Sequence, residues 1–200
     1  ETTPKDVLNR NAIDARTGVL NLLEHAFIDL CIDKKIPEYK KKAAGGQEQK
    51  NLLFKCLTSS DHNDYFRLGK LYQELAEFYE RLKEEDNTFI TRSNLMFVFA
   101  VESYKSAFFL CTKTTIDDVI ASRGKGGAIH PNSYDSLFNF ALLCLKGKVD
   151  KQGTVEAKII LRVLITRGYS EAYSYLAWQS YIDEDFKSAV RYLAHKKATQ

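Results

Sequence analysis

The chain has 200 residues, 44% hydrophobic and 28% charged, enough apolar surface to build an ordinary core in one or two domains and too much for a disordered chain. Its 29 lysines and arginines are nearly matched by 26 acids, and a formal charge of +3 argues against a dedicated nucleic-acid binder with one concentrated basic face. With only three prolines and ten glycines, the composition favours helix over a turn-rich β fold.

Thr3, Pro4 and Asp6 supply an N-cap, a first-turn proline and an early acid, which predict a helix start. Val19, Leu20, Leu22, Leu23, Ala26, Phe27, Leu30 and Cys31 then recur at three- and four-residue steps, the pattern of an amphipathic helix that ends near Ile36 and Pro37. Residues 38–50 contain Lys40, Lys41, Lys42, Gly45 and Gly46 but no core-spaced apolar residue, and read as a solvated basic loop. A short helix is expected around Leu52 to Leu57.

Ser59, Ser60 and Asp61 form a capping cluster ahead of a strongly periodic segment, in which Leu68, Leu71, Tyr72, Leu75, Phe78, Tyr79 and Leu82 fall on one helical face. After the acidic break at Glu84 to Asn87, residues Thr91 to Cys111 are apolar on most sides and predict the most buried helix. Their longest apolar run, Leu95 to Val101, is interrupted by Glu102, Ser103, Lys105 and Ser106, whereas a bilayer span needs about 18 apolar residues; no membrane span is predicted. Ser122 to Pro131 is the clearest loop. Its glycines lack the G-x-x-x-x-G-K-[ST] order and a preceding apolar strand, so a phosphate loop is rejected. Four short helices follow, with breaks near 147–153, 168–170 and 183–185.

Cys31, Cys56, Cys111 and Cys144 lie far apart within apolar helical patterns, and His25, His62, His130 and His195 are isolated, so buried thiols are expected and a zinc site is not. Unpaired thiols favour a reducing compartment such as the cytoplasm, although a start at Glu1 leaves room for a removed targeting segment. No Ser-His-Asp or Cys-His pattern with a recognisable local motif is present, and the acid pairs Glu84–Glu85 and Asp117–Asp118 read as solvent-facing. The sequence therefore predicts neither catalysis nor a cofactor.

An internal repeat occupies the last third of the chain. Phe140–Ala141 and Gly147 are followed by Ala157 and Gly168, and the large-then-small pair returns as Leu176–Ala177 after 36 residues. These residues resemble the Sel-one-like repeat, a relative of the tetratricopeptide repeat. Its two antiparallel helices carry a large-small pair on the first helix, a turn glycine, a packing alanine on the second and a closing glycine. Asp185, Phe186 and Ala189 are similar to the turn and packing alanine of the shorter tetratricopeptide form. Cys144 and Ser180 depart from the usual first-helix tyrosine, and Lys196 stands where a second small residue is usual. The resemblance covers Tyr134 to Ala198, extends weakly to Asp64–Cys111 through Leu68, Gly69, Leu71 and Tyr72, and does not reach the first 60 residues.

The resemblance implies an all-α chain, an α-solenoid of tetratricopeptide-like antiparallel helix pairs with N-terminal capping helices. Its parts are N-terminal helices and a basic loop (1–60), a divergent long helix pair (61–112), a linker with the glycine-rich loop (113–133) and the repeats (134–200). Small residues at Gly69, Ala141, Ala157, Ala177 and Ala189 would let neighbouring helices approach closely. Repeat proteins of this kind hold partner segments on the concave side lined by the first helices. The inward positions include Asn63, Phe66, Arg67, Lys70 and Glu74, then Phe138, Asn139, Leu142 and Lys146, then Glu171, Ser174, Tyr175, Trp178 and Ile182. Of these, Phe66, Arg67, Lys70, Asn139, Lys146, Tyr175 and Trp178 are the candidate partner-binding residues. The implied function is a scaffold or adaptor for another protein, through an acidic or extended segment. The alternative is nucleic-acid binding through Lys40 to Lys42 and Arg123–Gly124–Lys125, supported by a pI near 8.6.

Overall fold

The computed structural model describes residue 55 and residues 61–82, 88–125, 129–149 and 153–198. The helices and basic loop expected before Ser59 lie outside these residues, Lys55 excepted, as do Cys31 and Cys56. The chain divides into two units, 1–60 and 61–200, and the second is described here.

Among the described residues the fold is all-α: α1 (His62–Leu82), α2 (Thr88–Thr112), α3 (Ile116–Ser122), a 3-10 turn η1 (Pro131–Ser133), α4 (Tyr134–Leu145), α5 (Thr154–Thr166), α6 (Ala172–Ile182) and α7 (Phe186–Ala198). Each boundary has a local cause. Asp61 Oδ1 accepts the Asn63 N–H at 2.9 Å and so caps α1. Asp185 does the same for α7, taking the Ser188 N–H at 3.1 Å. At α5 the Glu156 carboxylate reaches back to the Gly153 N–H at 2.8 Å, half of a capping box.

The segment expected as linker contains α3. Thr115 and Asp118 form a complete capping box at its start, each side chain taking the other's backbone N–H at 3.1 Å. Two of its residues, Ile116 and Val119, are buried. A seven-residue helix with two apolar anchors offers too little periodicity to be recognised from sequence.

The turns after α4, α5 and α6 are built alike, as is the one after α3, where Gly124 and left-handed Arg123 donate to Val119 and Ile120. After α4 the Lys148 N–H donates to the Leu143 carbonyl and the Gly147 N–H to that of Cys144; after α5 Tyr169 and Gly168 repeat the pattern on Leu164 and Ile165; after α6 Asp185 and Glu184 repeat it on Ser180 and Tyr181. This turn requires a left-handed residue. Gly147 (φ 66°) and Gly168 (φ 86°) supply it without strain, while the third turn uses Glu184 (φ 60°).

Consecutive helices pack on one another: α1 on α2, α2 on α4, α4 on α5, α5 on α6 and α6 on α7, with α3 against α2 and α5. Gly69 sets the closeness of the first pair. A methyl group there would lie 2.6 Å from the Tyr104 ring, so no other residue fits the observed spacing. The four alanines expected at close approaches, Ala141, Ala157, Ala177 and Ala189, are all buried.

In agreement with its composition, α2 contributes the largest share of buried side chains, among them Phe97, Tyr104 and Phe108, all 1% exposed or less. Phe89–Thr112 is long and apolar enough to cross a bilayer by length and composition alone, and half of that stretch is buried in the protein. Burial against α1, α3 and α4 accounts for the apolar character of that half, while Ile90, Val98 and Phe109 stay exposed.

Candidate functional site

Helix α4 touches both α1 and α6 through side chains. Lys70 Nζ on α1 donates to Asn139 Oδ1 on α4 at 3.5 Å, and two turns further on Lys146 Nζ pairs with Glu77 Oε1 at 2.7 Å. Lys148, just beyond α4, pairs with Glu80 at 2.7 Å and lies 4.6 Å from the Phe97 ring centre. Between α4 and α6, Phe138 meets Tyr175 edge to face at 5.2 Å, and the Tyr169 hydroxyl donates to Asp135 at 2.7 Å. Burial, with the Asp135 carboxylate beside it, raises the Tyr169 pKa, so this phenol stays a donor.

The candidate residues therefore fall into three groups. Arg67 is exposed on α1, and Tyr175 (39% exposed) and Trp178 (62% exposed) are open on α6. Lys70 and Lys146 are exposed but engaged across the α1–α4 seam. Phe66 and Asn139 face inward. Phe66 is half-buried with its ring 5.9 Å from Tyr104, and Asn139 is buried, its Nδ2 donating to the Asp135 carbonyl at 2.7 Å while Oδ1 takes Lys70. Asn139 thus clamps α4 to α1, and its burial leaves little of it open to a ligand.

Glu77 is a seam residue that the sequence reading missed. It continues the face of Asn63, Arg67, Lys70 and Glu74 by one turn, and that spacing was a usable signal. Burial pushes its pKa up, but hydrogen bonds from Lys146 and Gln73 and the charges of Lys146 and Lys70 outweigh this and hold it below the usual glutamate value. With Glu77 present, the seam carries mixed charge. Asp135 and Tyr169 gave no sequence signal, because their meeting depends on how α4 and the turn before α6 stack.

Arg123, Lys158, Arg162 and Thr166 line a cleft of about 300 Å³ together with Val155, Ile159 and Val163. Its lining includes Arg123 from the predicted basic loop and no aromatic ring. Lys158 is already paired with Asp183. Among the described residues, no three His, Cys, Asp or Glu side chains gather as metal ligands. Cys144 is buried and its thiol is pushed up to about 12 by burial and by Glu156, too weakly acidic for a nucleophile at neutral pH. Comparison of the chain with protein-family models, with curated proteins and with solved structures gives no match.

Proposed function

We propose that this protein is a non-catalytic scaffold of stacked, tetratricopeptide-like helix pairs that holds a segment of another protein along the side formed by α1, α4 and α6. The observation that carries this reading is the pair of side-chain seams, Lys70–Asn139 with Glu77–Lys146 and Phe138–Tyr175, by which the first helix of each pair lies beside the first helix of the next. Stacking of this kind makes a continuous surface from helices distant in sequence. Arg67, Tyr175 and Trp178 are among the exposed residues on it, with Asn63, Glu74, Glu171 and Ile182, and an aromatic pair with an arginine is the composition that dominates binding energy at protein interfaces. On this reading α2 is the core helix of the stack. The partner segment is extended, with at least one carboxylate placed for Arg67.

The test uses the full chain as bait, identifies what it retains, and repeats the binding with purified components. Arg67→Glu combined with Trp178→Ala should abolish retention with the melting temperature unchanged, while Arg162→Glu, in the cleft beside α3, should leave it intact. Retention that survives the double variant refutes the proposal.

Nucleic-acid binding is the weaker reading. The cleft around Arg123 and Arg162 has basic groups for phosphates but no ring on which a base can stack. It would gain ground if the chain retained RNA or DNA with a steep salt dependence that Arg162→Glu reduced.

A further inference from the structure

The turn after α3 differs from those after α4 and α5 in its left-handed residue, which is Arg123 (φ 52°) where the others have glycine. A long side chain is kept there against the conformational preference of an L-residue. The backbone that carries it is fixed. The Arg123, Gly124 and Lys125 N–H groups donate to the Ile120, Val119 and Ser122 carbonyls at 3.1, 3.0 and 3.0 Å, and the Arg167 guanidinium donates to the Gly124 carbonyl at 3.4 Å. Gly124 presses on α5, where a methyl group in its place would lie 2.7 Å from Val163 Cγ2. Arg123 is thereby held beside α5, and with Arg162, Thr166, Ile159 and Val155 it lines the cleft of about 300 Å³.

The chemistry of the lining indicates what the cleft takes. Lys158 is neutralised by Asp183, but Arg123 and Arg162 are exposed and, among the described residues, have no acid partner. The acids of α3 and α5 lie at the far ends of those helices, Asp117, Asp118 and Glu156 all being in first turns. Two positive charges are left in the cleft. One carboxylate would neutralise half of this, whereas a phosphate monoester carries about −1.5 to −2 at neutral pH and has three oxygens for the two guanidinium forks. The aliphatic part lies apart from the charge: at 1.5 Å per residue along α5, the midpoint of Val155 and Ile159 is about 7 Å from Arg162, the length of two residues of extended chain. A free metabolite is disfavoured because Val155, Arg162 and Thr166 are exposed, and such a wall encloses little of a small ligand. A nucleotide is disfavoured because the lining offers no ring to a base.

We propose that the cleft between the Arg123 turn and α5 is a docking site for a phosphorylated peptide segment, with the phosphate on Arg123 and Arg162 and an aliphatic side chain two residues away over Val155 and Ile159. This goes beyond the partner surface on α1, α4 and α6, since none of the cleft residues lies on those helices. The probe is the peptide acetyl-Leu-Ala-phosphoserine-Ala-Leu-amide, titrated into the full chain by calorimetry. It should bind with Kd on the order of 100 μM, and the unphosphorylated peptide should not bind. Arg123→Gly is the decisive variant, because it removes the guanidinium while relieving the left-handed backbone: Tm should rise and affinity should fall by about tenfold or more. Arg162→Gln should weaken binding similarly, and Ile159→Ser should weaken the peptide while leaving inorganic phosphate unaffected. Absence of binding at about 1 mM peptide overturns the proposal, as does an affinity unchanged in Arg123→Gly. Equal affinity for a peptide with glutamate in place of phosphoserine, or for inorganic phosphate alone, overturns the phosphopeptide as occupant. Tighter binding of an RNA oligonucleotide that is lost in the same variants overturns it in favour of nucleic acid.

Discussion

Replacing Gly69 by alanine sets two effects of opposite sign against each other in one helix. In an exposed helix interior the change stabilises by about 1 kcal/mol, because glycine loses more backbone entropy on folding. Here the new methyl group would lie 2.6 Å from Cε1 and 2.7 Å from Cδ1 of Tyr104, where ordinary contact begins near 3.4 Å, so the ring must retreat by roughly 0.8 Å. It has little freedom to do so. Tyr104 is fully buried and its hydroxyl donates to Gln73 Oε1 on α1 at 2.9 Å, which ties the ring to the helix that would push it. Overpacking of this kind costs about 1–3 kcal/mol in a close-packed interior, and the clash should outweigh the helix propensity. Set against the gain of about 1 kcal/mol, the expected net loss is up to about 2 kcal/mol, or a fall of up to roughly 8 °C in Tm for a chain of this size. Thermal and urea denaturation followed by circular dichroism would measure it. In a Tyr104→Leu background the obstacle is gone, and Gly69→Ala should become neutral or stabilising. If Gly69→Ala raises Tm in the native background, or costs the same in both, the account of how α1 and α2 approach is wrong.

Glu184 occupies the left-handed turn position that Gly147 and Gly168 fill elsewhere; at low micromolar protein, Glu184→Gly should stabilise by about 1 kcal/mol and Gly147→Ala should destabilise by a similar amount in denaturant titrations, since both act through the same backbone strain. Cys144, with its thiol near 12, should resist iodoacetamide at pH 8 in the folded chain and react in urea, with rates resolved by peptide mass; equal rates in the two states would remove it from the core. Asp118 is held below its usual pKa by hydrogen bonds from Thr115, Glu156 by the Gly153 N–H, Asp183 by Lys158 and Gln179, and Asp185 by Ser188. A depressed carboxylate stabilises the fold above its unfolded pKa of about 4 and loses that contribution as pH falls through the lower folded value, so Tm should be level from about pH 5 to 7 and drop below about pH 4. Asp118→Asn should flatten the acid limb, and a Tm insensitive to acid would contradict these caps.

The all-α character of the described residues was legible because helix signals are local. The three- and four-residue periodicity of Leu68 to Leu82, the cap at Asp61 and the glycines at 147 and 168 act within one or two turns of chain, and each reappears in the structure at its predicted place. Small residues at helix contacts were legible as well, since close helix approach leaves no choice of side chain at a position such as Gly69, against Tyr104. Asn139 and Lys146 show where sequence stops. Both read as open positions for a partner, one on α4 and one at its C-cap, yet Asn139 is buried as a clamp and Lys146 is tied to Glu77, because the partner of each lies 69 residues away on α1. Trp178 shows the same limit from the other side: as the lone tryptophan it suited both core and surface, and only the structure places it 62% exposed, stacked on Tyr181. A sequence determines which face of each helix is apolar; which neighbour covers that face, and which is left open, is decided when the helices stack.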